Sequence, residues 1–290
     1  MIKYDNRNWF SFVLRNGGKH VEGMLWSLII MAAVTVLLIW LEKEVDWFHI
    51  NMPPTFHTVI GLVLGLLLVF RTNSAYDRWW EGRKQLGVMV NISRNLAMKI
   101  QAYVKVKDYS EKEELQNLIY AFAFSVKEHL QKKEYKNVIE EIPEQYREAF
   151  LAVDHKPNFI LGKIAFHLNK LNEEGIISNE KLIILEKDTN TLINVLGACE
   201  RISATPIPMA YALHLKRILL VYCLSLPFGF IGKLSWFAVP VVLVVFYTMV
   251  GIELIAEEIE DPFGLDENDL PVEELCFKIK ANIEEIKKYA

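Results

Sequence analysis

Pro54-Thr-Phe-His-Thr-Val-Ile-Gly-Leu-Val-Leu-Gly-Leu-Leu-Leu-Val-Phe-Arg71 is apolar almost to its last residue. The stretch that follows, Thr72-Asn-Ser-Ala-Tyr-Asp-Arg-Trp-Trp-Glu-Gly-Arg-Lys84, alternates charge with aromatic bulk. Nothing at the junction stops a helix, because no proline occurs between Pro54 and Pro143. One helix of about 50 residues is therefore allowed, and at ~1.5 Å per residue it would measure ~75 Å against a hydrocarbon core of ~30 Å. Such a helix must leave the membrane and continue into water. In its apolar half, Leu62, Leu66 and Phe70 recur every fourth residue and share one face. Gly61 and Gly65, one residue earlier at the same spacing, leave a groove that another helix can approach. Spacing alone leaves two readings open. One is an ordinary packed transmembrane helix; the other is a face that several copies turn toward an axis, forming an apolar constriction that gates by wetting and dewetting.

With 290 residues, 52% hydrophobic and 23% charged, the chain has room for a membrane bundle and one soluble unit. A net charge of −4 and the lack of a basic arm speak against nucleic acid as a partner. Cys199, Cys223 and Cys276 are odd in number and far apart, which argues against a disulfide framework or a zinc cluster. Residues 1–20 hold Lys3, Arg7, Arg15 and Lys19 without a continuous apolar core, so a cleavable signal is not expected. With Trp9, Phe10 and Phe12 they read instead as an amphipathic lead at a membrane surface.

Outward from the central stretch, Val21 to Leu41 is long enough to span, with Trp26 and Trp40 near the two interfaces. Glu42, Lys43, Glu44 and Asp46 make a polar loop closed by Pro53-Pro54, and Arg71, Arg78, Arg83 and Lys84 follow the second span. Lysine and arginine placement puts the N terminus and the segment after Arg71 in the cytoplasm and the 42–54 loop outside. Residues 72–205 contain no further span. Helical patterns run from Glu111 to Lys133 with an amphipathic stripe, and then over Glu144–Val153, Phe159–Leu171 and Asn179–Ile202. Thr205-Pro-Ile-Pro208 breaks the backbone. Leu213–Ile231 forms a third span with Pro227 as a kink, Gly232–Ser235 a short external turn, and Trp236–Ile252 a fourth span. The expected fold is an all-α membrane protein of the cell inner membrane, with four transmembrane helices and both termini cytoplasmic. Its regions are 1–71 (lead and first two spans), 72–205 (helical cytosolic domain), 206–253 (third and fourth spans) and 254–290 (acidic turn and final helix).

Chemistry-bearing motifs are sparse. The seven histidines, His20, His49, His57, His129, His155, His167 and His214, share no metal-ligand spacing, and neither a Walker loop nor a nucleophile elbow occurs. Glu253 and Glu257 stack one turn apart and need a cation or a basic side chain between them, such as Arg201 or Arg217. The turn holding Asp266 and Asp269 has oxygen donors suited to calcium, although Leu265 and Asn268 thin its charge.

Three runs carry a resemblance. Phe70-Arg-Thr-Asn-Ser-Ala-Tyr-Asp-Arg-Trp-Trp-Glu-Gly-Arg-Lys84 is the first, and Cys199-Glu-Arg-Ile202 with Thr205-Pro-Ile-Pro-Met-Ala-Tyr211 the second. The third is Glu257-Glu-Ile-Glu-Asp-Pro-Phe-Gly264 with Asn268-Asp-Leu-Pro271. Together, in this order and on a four-span layout, they resemble the prokaryotic bestrophin family. The resemblance implies a homopentameric ion channel around one central pore, narrowed at a neck on Leu62, Leu66 and Phe70 and again at a cytosolic aperture on Glu180. Most relatives place a small aliphatic residue at that aperture. Five facing glutamates would attract cations and raise one another's proton affinity, so the expected flux leans to small monovalent cations, with a chloride channel of the same architecture as the alternative. The bland reading of Glu180 is a solvated residue at a helix start. The acidic turn matches the segment that clasps calcium in animal relatives, and Leu265, in place of an acid there, makes calcium gating doubtful. Partners are then further copies of the chain, inorganic ions and the lipid bilayer, with no cofactor expected. Two rivals are a membrane-anchored scaffold and a membrane enzyme using Arg71, Arg78 and Arg83 on a phosphorylated substrate.

Overall fold

The computed structural model describes residues 18–45, 52–105 and 109–289. These residues form ten α-helices and one 3-10 turn, with no strand among them. In chain order they are α1 (Gly18–Glu44), α2 (Pro54–Tyr103), α3 (Tyr109–Leu130), α4 (Lys136–Ile139) and α5 (Glu144–Ala152). Then come α6 (Lys156–Glu173), α7 (Asn179–Ala204), α8 (Met209–Leu234), the 3-10 turn Ser235–Phe237, α9 (Ala238–Glu260) and α10 (Val272–Tyr289). The amphipathic lead read from the first residues falls on positions 1–17, outside the described residues, as does most of the loop before Met52.

α2 is a single helix of 50 residues, the length its freedom from proline allows. The chain divides into two compact units, the first holding 1–78, 206–261 and 266–268, the second 79–205, 262–265 and 269–290.

Among the described residues, three stretches are long and apolar enough to cross a membrane: Gly23–Glu44, Thr55–Tyr103, which runs on into the second unit, and Met209–Glu260. The third comprises two helices, α8 and α9, so the four spans read from the sequence are present. Helix α8 runs through Pro227 and takes in Gly232–Leu234, so the reversal falls on the last residue of the expected turn, Ser235, whose φ of 47° is left-handed. The core of the first unit joins Met31 of α1, Leu64 and Leu68 of α2, Leu215, Leu219 and Leu226 of α8, and Val242 and Phe246 of α9. Its outside stays apolar, with Trp26, Ile30, Val221 and Val244 exposed; lipid is the solvent that suits such a surface. Two close approaches need glycine. A Cβ on Gly61 would lie 2.6 Å from the Tyr222 hydroxyl, and one on Gly229 2.5 Å from Nδ1 of His57. Gly65 has open space instead, so only the first of the two glycines marks a helix contact within the chain.

The second unit is built around α3. The sequence reads a helix with an amphipathic stripe there, and from Leu115 to Leu130 α3 is buried on nearly every side. Charge is accommodated inside by pairing: Lys127, 3% exposed, holds Glu128 at 3.2 Å and Glu273 at 3.0 Å. Leu118, Phe122 and Val126 of α3 share one core with Ile160 and Ile164 of α6, Leu192 and Val195 of α7, and Ile279 and Ile283 of α10. Cys199 and Cys276 are buried free thiols here, and burial pushes each up to about 12. They serve as apolar filling. Gly82 lets Phe263 and Leu270 of the 262–270 turn come within 3.1 Å of where its Cβ would stand, and the Leu270 amide closes that turn on the Pro262 carbonyl at 2.9 Å.

Candidate functional site: the exposed face of α2

The two sides of α2 in the first unit differ sharply. His57, Leu64, Leu68, Arg71 and Ala75 are all 3% exposed or less. Leu62, Leu66 and Phe70 are 77%, 57% and 56% exposed. Leu64 and Leu66 are two residues apart and so point roughly 200° away from one another, which is why one row packs inside the chain and the other cannot. Val59, Val63 and Val69 flank the exposed row and are exposed as well. A cleft of about 770 Å³ borders this face, lined by Gly61, Leu62, Gly65 and Leu66 of α2 and by Thr248 and Met249 of α9.

At the top of this segment His57 is locked in place. Its Nε2–H donates to the Ser225 carbonyl at 2.9 Å, and Tyr222 donates to the His57 carbonyl at 3.4 Å. The carbonyl can only accept, so the ring proton sits on Nε2. At its foot, Arg71 is buried and meets Glu260 of α9 at 2.6 Å. Glu260 also accepts the Ile207 amide on its carboxylate at 2.8 Å, and its carbonyl accepts Nε of Arg78 at 3.0 Å. One acidic residue thus fixes two turns of α2 and the Thr205–Pro208 break. Reading by residue type placed Arg71 among the cytoplasmic charges and missed this pair; an arginine ending an apolar run, together with an acidic run elsewhere, was the available signal.

The acidic stack is relieved as expected, but by a different base. Lys216 lies 2.7 Å from Glu257 and 3.7 Å from Glu253, where the sequence had suggested Arg201 or Arg217. In the following turn Asp266 is exposed and Asp269 is 3% exposed, while Leu265 is 71% exposed and offers no oxygen. Calcium takes six to eight oxygens, and the Leu265 side chain supplies none.

In the second unit Glu180 is exposed in the first turn of α7. The Ser178 hydroxyl, followed by Glu180's own backbone N–H, holds its carboxyl below the usual carboxylate range. In the same unit, two of the seven histidines that shared no spacing come together. His129 and His155 both reach Glu200.

Residues 1–285 match the sequence profile of the family described as bacterial/fungal bestrophin protein. The chain belongs to the bestrophin family. A voltage-dependent anion channel-forming protein of Nostoc sp. (strain PCC 7120) is 37% identical over 284 residues, covering 97% of this chain and 92% of that protein. A protein of the same description from Synechocystis sp. (strain PCC 6803) is 35% identical, again over 97% of this chain and 92% of the relative. Among solved structures, a bacterial bestrophin homologue from Klebsiella pneumoniae superposes with a TM-score of 0.87 at 26% identity, covering 92% of this bestrophin and 99% of that chain. The helical fold and the membrane-crossing helices are those of the family.

Proposed function

We propose that this bestrophin forms a passive ion channel in which five copies turn the Leu62, Leu66 and Phe70 face of α2 toward a shared axis. The observation that carries this reading is the exposure of all three side chains on the one face of α2 that its own chain leaves uncovered. Three stacked apolar rings offer an ion no substitute for its hydration shell. A narrow ring dewets and closes, and a slightly wider one fills and conducts. The buried Arg71–Glu260 pair holds the lower end of the rings in register.

An apolar neck does not choose the sign of the ion, so selectivity falls to charged lining elsewhere. Relatives described as voltage-dependent anion channel-forming proteins support anion flux, and this is the preferred reading. Glu180 supports the cation reading, provided that it faces the axis. Purified protein in planar bilayers under a salt gradient separates the two. A reversal potential on the chloride side that stays fixed in Glu180→Gln supports an anion channel with Glu180 outside the pore, whereas a cation-side potential that weakens in the variant makes Glu180 the selectivity ring. A projection along the membrane normal without five-fold symmetry or a central opening overturns the proposal. The proposed setting is the cell inner membrane with both termini cytoplasmic, an orientation that the lysine and arginine bias supports.

A further inference from the structure

Three potential metal ligands from three different helices converge in the second unit. His129 is the next-to-last residue of α3, His155 is the N-cap of α6, and Glu200 lies on α7. Nε2 of His129 is 2.9 Å and Nε2 of His155 2.7 Å from the same carboxylate oxygen, Glu200 Oε1. The imidazole rings stand 4.8 Å apart. All three donor atoms lie within 4.8 Å of one another. Each side chain is about one-third exposed, 29%, 38% and 32% in that order, so an ion can enter from water.

We propose that His129, His155 and Glu200 form a binding site for a divalent transition metal of the zinc class. Two imidazoles and one carboxylate are the donor set that suits such an ion, with water completing the fourth position. At metal–ligand bonds of ~2.0–2.2 Å, donors around a tetrahedral ion lie about 3.3 Å apart, so the His129–Glu200 and His155–Glu200 distances of 2.9 and 2.7 Å each lengthen by roughly half an ångström. Side chains move this far without any shift of their helices.

The surroundings fit the change of imidazole tautomer that metal binding requires. With only hydrogen bonds at the cluster, each imidazole presents an Nε2–H to Glu200. Metal binding moves that proton to Nδ1 with no net release. At His129 the displaced proton finds the Tyr135 hydroxyl, 3.4 Å from Nδ1. At His155 it releases the cap made by the Asn158 amide, a bond already long at 3.3 Å. The neighbouring lysine does not compete, since Lys156 donates to the Val153 carbonyl at 2.7 Å and lies over the Tyr135 ring. Bound metal would fasten α3, α6 and α7 to one point and stabilise the folded unit by mass action. The site makes no use of the neck and stands independently of the channel reading.

The test uses full-length protein in detergent, freed of metal by chelation and titrated with cobalt(II) and then zinc(II). One cobalt per chain with visible bands of a four- or five-coordinate site, discharged by zinc, is expected. His129→Gln and His155→Gln should each weaken binding by ~100-fold or more, with the elution volume of the oligomer unchanged and with His167→Gln retaining wild-type affinity. Zinc-edge absorption should show two imidazole ligands. The proposal is overturned if cobalt produces no such bands, if both glutamine variants keep wild-type affinity, or if the absorption spectrum lacks imidazole. The cluster is then a hydrogen-bonded one only.

Discussion

Glu260 ties Arg71, Arg78 and the Ile207 amide together, and the Arg71 end of that arrangement is only 2% exposed. Removing one partner of a buried ion pair strands the other charge, so Glu260→Gln or Arg71→Gln should lower stability by ~3–5 kcal/mol. The double change Arg71→Met with Glu260→Met should recover most of that loss. Thermal unfolding of the detergent-solubilised protein measures both. His167 supplies a pH signature: it is 5% exposed, its Nε2 lies 2.9 Å from the Tyr146 hydroxyl and 3.4 Å from Glu114 Oε1, and burial pulls its pKa below the ordinary 6.5. Its folded pKa lies below the unfolded one, so the unfolded chain takes up the proton first. The associated stability is complete above about pH 6.5 and drains away as pH falls through the lowered folded value. His167→Gln should flatten the melting temperature against pH in that range. At this scale the sequence was read unevenly. The need for a base beside Glu253 and Glu257 was visible, but Lys216 rather than an arginine supplies it, because which side chain reaches across is decided by packing. His129 and His155 lie 26 positions apart on separate helices, and no local spacing could join them.

Among the helices, α2 and α7 were the most legible. The proline-free run gave α2 its length, and the pattern over Asn179–Ile202 ends two residues short of the helix found at Asn179–Ala204. The helix α3 was legible from its stripe, but its burial on nearly every side was not, because Lys127 and Glu128 form an internal pair. α4 is only four residues long, too short to carry a period. Glycines divide the helices into tolerant and intolerant positions. Gly162 in α6 has open space where a Cβ would stand, so Gly162→Ala should stabilise by up to ~1 kcal/mol through helix propensity. Gly229→Ala instead drives a methyl into the His57 ring and should cost about 1–3 kcal/mol. A melting curve for each variant distinguishes the two signs.

For the whole molecule, the family and the helical membrane fold were readable from three motifs in order, while the chain's contacts show only that the α2 face is left open. What meets that face belongs to the assembly, and a single sequence carries no direct signal for it. Leu62→Ala and Leu66→Ala should leave the melting temperature of the isolated subunit nearly unchanged, since both side chains are exposed there. They should shift the closed-to-open balance by ~1–2 kcal/mol, a factor of roughly 5–30 toward the conducting state. Single-channel recording reads that factor directly, and an unaltered open probability in both variants removes these leucines from the gate. The unbroken course of α2 from Pro54 to Tyr103 has a mechanical corollary. An uninterrupted ladder of backbone hydrogen bonds resists torsion, so within the first unit Leu62, Leu66 and Phe70 turn together when the helix rolls. On the channel reading proposed above, whatever grips that length of helix holds the valve.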